Sequence, residues 1–362
     1  MAAAPLAGRL GMWPRRAGAA EAGWRRFALT TRVTLLDSPG PAQLWLPLVQ
    51  SAGDYQTASA PLWRTSGQAG LLRDPRYGAG LLRVRWTSGG AAQWTELVQE
   101  VATRDRGASG PLALSAAELS AAELSPAELS PADWALWTAP SPSIPTDGLV
   151  RETAQRITAG RKRPCDRLRA LYDWVVDTTW RNPDTPGCGT GDFATMLRTG
   201  NFGGKCADIN GLMVGLARAA GLPARDVYGI RVAPSHLAAC LGRSGDVSRA
   251  QHCRAEVFLD GEGWFPVDPA DVRKVILEAR LPADSGMVRR LREHLFGQWE
   301  MNWVGFNDAT DIVLPGAGGQ TPDFAFLMYP CALTAEGQPD CLEPGRFRYQ
   351  ITSRALTAAE AG

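Results

Sequence analysis

Strand-like and helix-like patterns occupy separate stretches of this 362-residue chain, and that segregation predicts an α+β protein. Residues 24–110 alternate apolar and polar side chains and break at turn residues. Apolar residues then recur at helical spacing between about 146 and 225, and residues 251–268 return to strand, turn, strand. The length favours more than one domain. An apolar share of 45% with 21% charged residues suits a folded globular chain, and a formal net charge of +1 gives no electrostatic case for nucleic acid or an anionic membrane. No apolar run approaches the ~18 residues a membrane helix needs.

Along the chain, residues 1–23 are Ala/Gly/Arg-rich and are expected to be disordered. The pairs Arg15-Arg16 and Arg25-Arg26 resemble those of export signals, but neither is followed by an apolar core. The expectation is a cytoplasmic protein, or an exported one if a signal lies outside the given start. Residues 24–110 form a β-rich domain: RFALTTRVTLL, AQLWLPL, GAGLLRVRWT and TELVQEVATRDR read as strands of an antiparallel sheet or sandwich. Residues 111–145 read as a linker. Its LSAAELSAAELSPAELSPADW segment repeats with a five-residue period, which is neither a heptad nor a solenoid, and its Ser-Pro pairs suit short helical turns. Residues 146–280 form a core, and 281–362 a C-terminal extension expected to pack on it.

Within the core, Asp147 heads a helix that Gly160 ends. A second helix opens near Asp166, with Leu168, Leu171, Val175 and Val176 on one face. DFATMLRTG is a short helix leading into GNFGGKCADINGLMVGLARAAGLPAR. There Ile209, Leu212, Met213, Leu216, Ala219 and Ala220 make an apolar stripe, and Gly221 supplies a left-handed stop. Cys206 therefore falls in the first helical turn, where free N–H groups and the helix dipole stabilise an anion and lower a thiol pKa. Gly203 and Gly204 let backbone pass close to a ligand, and the Cys206 N–H is placed to donate to an oxyanion.

A thiolate nucleophile needs a base, and the base an orienter. Of three histidines, His236 lies in an irregular stretch and His294 on the expected exposed side of a helix. His252 begins a strand that turns at Asp260–Gly263 and returns to Asp268. A three-residue loop with a glycine bulge would put His252 and Asp268 on one face as diagonal neighbours, within hydrogen-bond reach. Each residue alone has a plainer reading: buried thiol, structural histidine, turn cap. A metal site built from Cys206, His252 and Asp268 is disfavoured, because three unlike elements supply the ligands with no paired spacing. Seven cysteines form no CxxC pair; Cys331 and Cys341 flank a turn and could bridge in an oxidising compartment.

These residues resemble the transglutaminase-like superfamily, whose members share a papain-like Cys-His-Asp core. The resemblance rests on GGKCADINGLMVGLARAAGLPAR around Cys206, QHCRAEVFLDGEGWFPVDPADV around His252, and Asp268 within PVDPAD. It spans about residues 147–276, and the whole looks like bacterial members with an N-terminal β domain and a C-terminal extension. It implies a helix bearing the thiol packed on an antiparallel sheet that holds the other two residues. Cys206 would be the nucleophile, His252 the general base and acid, and Asp268 the orienter, with no metal or other cofactor. Gly204, Trp180 and Gln251 are secondary candidates for contacting substrate or an oxyanion. Where many members carry an aromatic two residues after the histidine, this chain has Arg254. The implied activity is acyl transfer from a peptide or glutamine carboxamide through a thioester, on a protein or peptide substrate. Hydrolysis is favoured over crosslinking to an amine; a non-catalytic protein- or wall-binding module is the alternative of another class.

Overall fold

The computed structural model describes residues 23–35, 40–89, 92–107, 128–317, 324–342, 347–357 and 360. The expectation of disorder for 1–23 lies almost wholly outside these residues, as does most of the five-residue repeat.

Among the described residues the fold opens with strands β1 (Arg25–Leu35), β2 (Ala42–Pro47), β3 (Gln56–Ala58), β4 (Leu62–Thr65), β5 (Gln68–Arg73), β6 (Gly80–Trp86) and β7 (Gln93–Thr103). The period-2 pattern of β1 is satisfied directly, because Phe27, Leu29, Thr31, Val33 and Leu35 are buried while their neighbours turn outward. Strands β1, β3, β4 and β7 lie in one antiparallel sheet, and β2, β5 and β6 in another. Leu44, Leu46, Leu82, Val84 and Leu97 fill the space between them.

The remaining described segment of the expected linker is not extended. Helix α1 (Pro131–Thr138) is capped by Ser130, whose hydroxyl accepts from the Asp133 N–H. Its Trp137 is buried edge-on against Trp264. Helices α2 (Gly148–Thr158) and α3 (Pro164–Thr178) follow. The latter begins two residues before Asp166 because Pro164, lacking an N–H, is well suited to the first turn. The short strand β8 (Trp180–Arg181), helix α4 (Phe193–Thr199) and strand β9 (Gly203–Gly204) lead to α5 (Cys206–Ala219).

Helix α5 packs on a four-stranded antiparallel sheet made of β10 (Ala224–Arg231), β11 (Gln251–Leu259), β12 (Gly263–Val267) and β13 (Trp303–Asn307), in the order β12-β11-β10-β13. Every residue of β11 is buried. Two further helices, α6 (Pro269–Glu278) and α7 (Gly286–His294), lie between β12 and β13 in the chain. His294, expected on an exposed face, is half-buried at the end of α7.

The C-terminal extension supplies Val288, Leu291, Val304, Phe306, Met328 and Ile351 to the core around α5, and it also runs back into the β-rich unit. Strand β13 joins the core sheet, but β14 (Cys331–Thr334) pairs with β2, and β15 (Phe347–Ala355) pairs with β1 from Phe27↔Ala355 to Leu35↔Phe347. The reason is that β1 and β2 each offer an open edge whose N–H and C=O groups need partners. Nor are the β-rich unit and the core cleanly separate. Phe27, Leu29 and Val101 join the large core around α5, while Val33, Leu35 and Leu97, on the same two strands, fill the sandwich. Gln56 bonds both backbone groups of Gly305, accepting at 2.8 Å and donating at 2.9 Å, and so covers the free edge of β13. Cys331 and Cys341 are free thiols, not bridged.

Gly229 stands directly opposite His252 in the β10–β11 register. A Cβ there would fall 2.1 Å from the Val304 carbonyl oxygen and 2.4 Å from the Trp303 ring. Gly229→Ala is therefore expected to lower stability by about 1–3 kcal/mol, measured as a lower urea midpoint at unchanged m-value.

Candidate active site

The first turn of α5 is shaped by Asp208. Its Oδ2 accepts from the Lys205 N–H at 2.9 Å, the reach-back half of a capping box. Its Oδ1 accepts from Thr190 and Gly191 N–H at 3.0 and 2.9 Å, tying the preceding loop to the helix start. The carboxylate sits so close beneath Gly189 that a Cβ there would lie 1.9 Å from Oδ2. Burial nonetheless raises the Asp208 pKa, against the three N–H bonds that lower it.

Cys206 is the first residue of α5 and is only 3% exposed. Its backbone N–H lies outside the helical ladder, as the first N–H of any helix does. The Ala207 N–H is taken by the Cys188 carbonyl at 2.9 Å, and the Cys206 Sγ stands 3.9 Å from that same oxygen. Hydrogen bonds from the Cys188 and Cys253 thiols, and from His252 with its positive charge, hold the Cys206 thiol well below its usual range despite burial.

His252 and Asp268 meet as the turn geometry predicts. Leu259 pairs with Gly263, leaving the three-residue loop Asp260–Glu262, and Gly261 and Gly263 both have positive φ. The register continues to Ala255↔Val267, so Asp268 is a diagonal neighbour of His252. The imidazole Nε2 lies 2.7 Å from Asp268 Oδ2, which leaves Nδ1 as the nitrogen free for the thiol. Trp303 Nε1 donates to the His252 carbonyl at 2.9 Å and fixes its backbone. Asp268 is fully buried, caps α6 by accepting from the Asp271 N–H at 3.1 Å, and accepts from Asn210 Nδ2 at 3.3 Å.

A second carboxylate stands nearby. Asp271 Oδ1 lies 3.4 Å from His252 Nε2 and 2.5 Å from Arg231 Nη2, all buried. Burial alone would discharge His252, but Asp271 and Asp268 overcome it and raise the imidazole pKa. Burial likewise works against the Asp271 charge, yet Arg231, His252 and Arg254 hold its pKa below the ordinary carboxylate value. His252, Asp268 and Asp271 bring ligand atoms within 4.8 Å of one another. The residues do not fit a cation there, because Arg231 pairs with Asp271 and Arg254 Nε lies 3.4 Å from Asp268 Oδ2.

Arg254, the departure from the family's aromatic, is fully buried over Trp299 and Trp303, with its charge centre 5.3 and 4.9 Å from the two rings. Burial pushes its pKa down to about 10. Of the secondary candidates, Trp180 is 43% exposed and its ring covers Gly203, where a Cβ would fall 2.5 Å from Nε1. Gly204 pairs with Arg181, and its missing Cβ makes room for Asp208. Gln251 gives its carbonyl to the Cys188 thiol at 3.3 Å, while its side chain lies within reach of the Tyr349 hydroxyl. A cavity of about 480 Å³ lined by Tyr55, Arg106, Arg225, Trp264 and Trp303 lies behind the core sheet and does not include Cys206.

Sequence reasoning missed Cys188, Asp208, Asn210, Arg231, Cys253 and Asp271. Two carried a local signal: an acid at the third position of α5, and an acid three residues after Asp268 in the same helix start. The others are brought in by tertiary packing alone.

The profile of the transglutaminase-like superfamily core matches residues 151–269. An uncharacterized protein of Haemophilus influenzae is 32% identical over 329 residues, covering 88% of each chain. The chain belongs to the transglutaminase-like superfamily. A crystal structure of a Cytophaga hutchinsonii protein, described as a candidate cysteine protease, shares the fold of this transglutaminase-like chain. It has a TM-score of 0.53 at 12% identity, over 93% of this chain and 92% of that one. The periplasmic domain of TgpA from Pseudomonas aeruginosa aligns more loosely, with a TM-score of 0.35 at 16% identity over 72% of this chain and 92% of that domain. The superfamily and the shared fold support a cysteine-dependent enzyme in the broad sense. Among the described residues, no helix is long and apolar enough to cross a membrane.

Because the folded-state pKa of His252 is raised, its protonation stabilises the fold below about pH 6.5. That contribution disappears as pH rises through the folded value. Asp271→Asn removes one of the two charges that raise it, so the imidazole is expected to titrate at lower pH, as read by NMR of the three histidines. The same change leaves Arg231 buried without its ion pair and is expected to cost about 3–5 kcal/mol of stability.

Proposed function

We propose that this protein is a cysteine acyl-transfer enzyme in which Cys206 is the nucleophile, His252 the general acid and base, and Asp268 the orienter. The observation that carries the reading is the buried chain of contacts from the first residue of α5 to an imidazole whose far nitrogen is bound to Asp268 at 2.7 Å. In the forward step the Cys206 sulfur attacks a carbonyl carbon of a peptide or glutamine carboxamide. The tetrahedral oxyanion forms beside the Cys206 N–H, where the helix start supplies a donor. The imidazolium gives its proton to the leaving nitrogen, the C–N bond breaks, and a thioester remains. Water or an amine, deprotonated by the neutral imidazole, then attacks the thioester and releases the thiolate. Asp268 keeps the ring in one tautomer through both halves.

Hydrolysis is the preferred second half. Trp180, the aromatic candidate for screening the thioester, is 43% exposed, which favours water as the acceptor. A crosslinking activity is the competing outcome, and a binding module the outcome of another class. Retention of thiol, imidazole and two carboxylates in contact, at the cost of burying four ionisable groups, argues against the module.

Alkylation of Cys206 by iodoacetamide, followed by site-resolved mass spectrometry against pH, tests the first step. The wild type should react quickly well below the free-thiol value of about 8.5, and His252→Ala should shift the onset upward. A slow reaction in both proteins, rising only in alkali, would mean a structural cysteine. On a glutamine-containing protein substrate with a labelled primary amine, ammonia or peptide release should exceed amine incorporation. Faster incorporation would make the protein a crosslinking enzyme. Activity that survives Cys206→Ala would remove the thiol from the mechanism.

A further inference from the structure

The loop between β8 and α4 carries a second thiol that the proposed reaction does not use. Cys188 is buried; its Sγ donates to the Gln251 carbonyl at 3.3 Å, its own carbonyl oxygen stands 3.9 Å from the Cys206 Sγ, and the two thiols influence each other's ionisation. The Cys188 carbonyl also accepts the Ala207 N–H at 2.9 Å, so the two backbones are joined one residue from Cys206. We propose that Cys188 is the redox partner of Cys206, forming with it a reversible disulfide that masks the nucleophilic thiol on exposure to hydrogen peroxide. This rests on the ionisation of Cys206 argued above, and not on acyl transfer.

The chemistry closes with peroxide as the oxidant. The Cys206 thiolate attacks one peroxide oxygen; the S–O bond forms, the O–O bond breaks, and hydroxide leaves to be protonated to water. The product is a sulfenic acid. The Cys188 sulfur, giving up its proton, then attacks the Cys206 sulfur. The S–S bond forms, the S–O bond breaks, and a second water leaves. Two thiols have lost two electrons to one peroxide.

The charge arrangement orders these steps. While Cys206 is a thiolate, hydrogen bonding to it, together with burial, keeps the Cys188 thiol protonated and its pKa well above the ordinary value. Oxidation of Cys206 removes the negative neighbour, and Cys188 becomes easier to ionise at the moment it is needed.

Cys253 also lies beside Cys206, but a shift of its backbone toward Cys206 would break the β10–β11 ladder. It lies inside β11 opposite Tyr228, and Asn210 Nδ2 holds its carbonyl at 2.8 Å. Cys188 instead stands in a loop between Gly187 and Gly189, at φ of +52° and +96°, outside any strand ladder, so its side chain can turn toward Cys206 without breaking a sheet. A bridge there would also fasten the 187–191 loop over the first turn of α5.

The test uses the full chain with hydrogen peroxide at near-stoichiometric amounts, quenched by alkylation and read by peptide mapping without reduction. The expected product is a Cys188–Cys206 peptide pair lighter by two hydrogens, with Cys206 alkylation lost and then restored by dithiothreitol. Cys253→Ser should give the same pair. In Cys188→Ser, Cys206 should pass on to sulfinic and sulfonic acids that dithiothreitol does not reverse. A Cys206–Cys253 bridge, or irreversible oxidation of Cys206 in the wild type at the rate seen in Cys188→Ser, would overturn the assignment. If Cys206 alkylates quickly at low pH yet forms no bridge, the redox pair fails and the thiolate stands; slow alkylation would overturn both.

Discussion

One carboxylate holds the site in register. Asp268 is fully buried, and it caps α6, accepts from Asn210 on α5, binds the His252 ring on β11 and faces the Arg254 guanidinium. Strand and both helices therefore meet at two oxygens. A buried charge of this kind is tolerable only when every lone pair has a partner, and here those partners include the groups aligned in the proposed reaction. The requirement that Asp268 be solvated by protein and the requirement that His252 be oriented are one requirement.

The same logic extends outward in layers. Arg231 answers Asp271, and Asp271 in turn adds to the field on the imidazole. Further along the same face of the sheet Glu256, two residues past Arg254, is held by Arg106 and Arg225, so the N-terminal unit is fastened to β11 by an ion pair that is almost wholly buried. Movement between the two units would separate these charges from their partners in a dry environment, which makes the junction stiff.

Much of this was legible in the chain. The stripe from Ile209 to Ala220 and the stop at Gly221 placed α5 and put Cys206 at its head. The parity of the Asp260–Glu262 loop placed His252 and Asp268 on one face, since a two-residue period leaves only two choices. The thiols of Cys188 and Cys253 and the guanidinium of Arg231 were not legible, because no local pattern says which loop crosses which strand end. The fate of the C-terminal strands was hidden for a related reason: β15 alternates like any strand, and nothing in its alternation names β1 as its partner.

That pairing of β15 with β1 bears on how the chain is made. The first described strand has one neighbour, β7, from its own end of the sequence and must wait for residues 347–355 to obtain the other. During synthesis the entire stretch between β1 and β15 leaves the ribosome before that edge of the sheet can close. Pairing over such a separation carries a large loop entropy and folds slowly. For that interval the outer edge of β1 is exposed to other strands, and the nascent chain is vulnerable to aggregation there until β15 arrives.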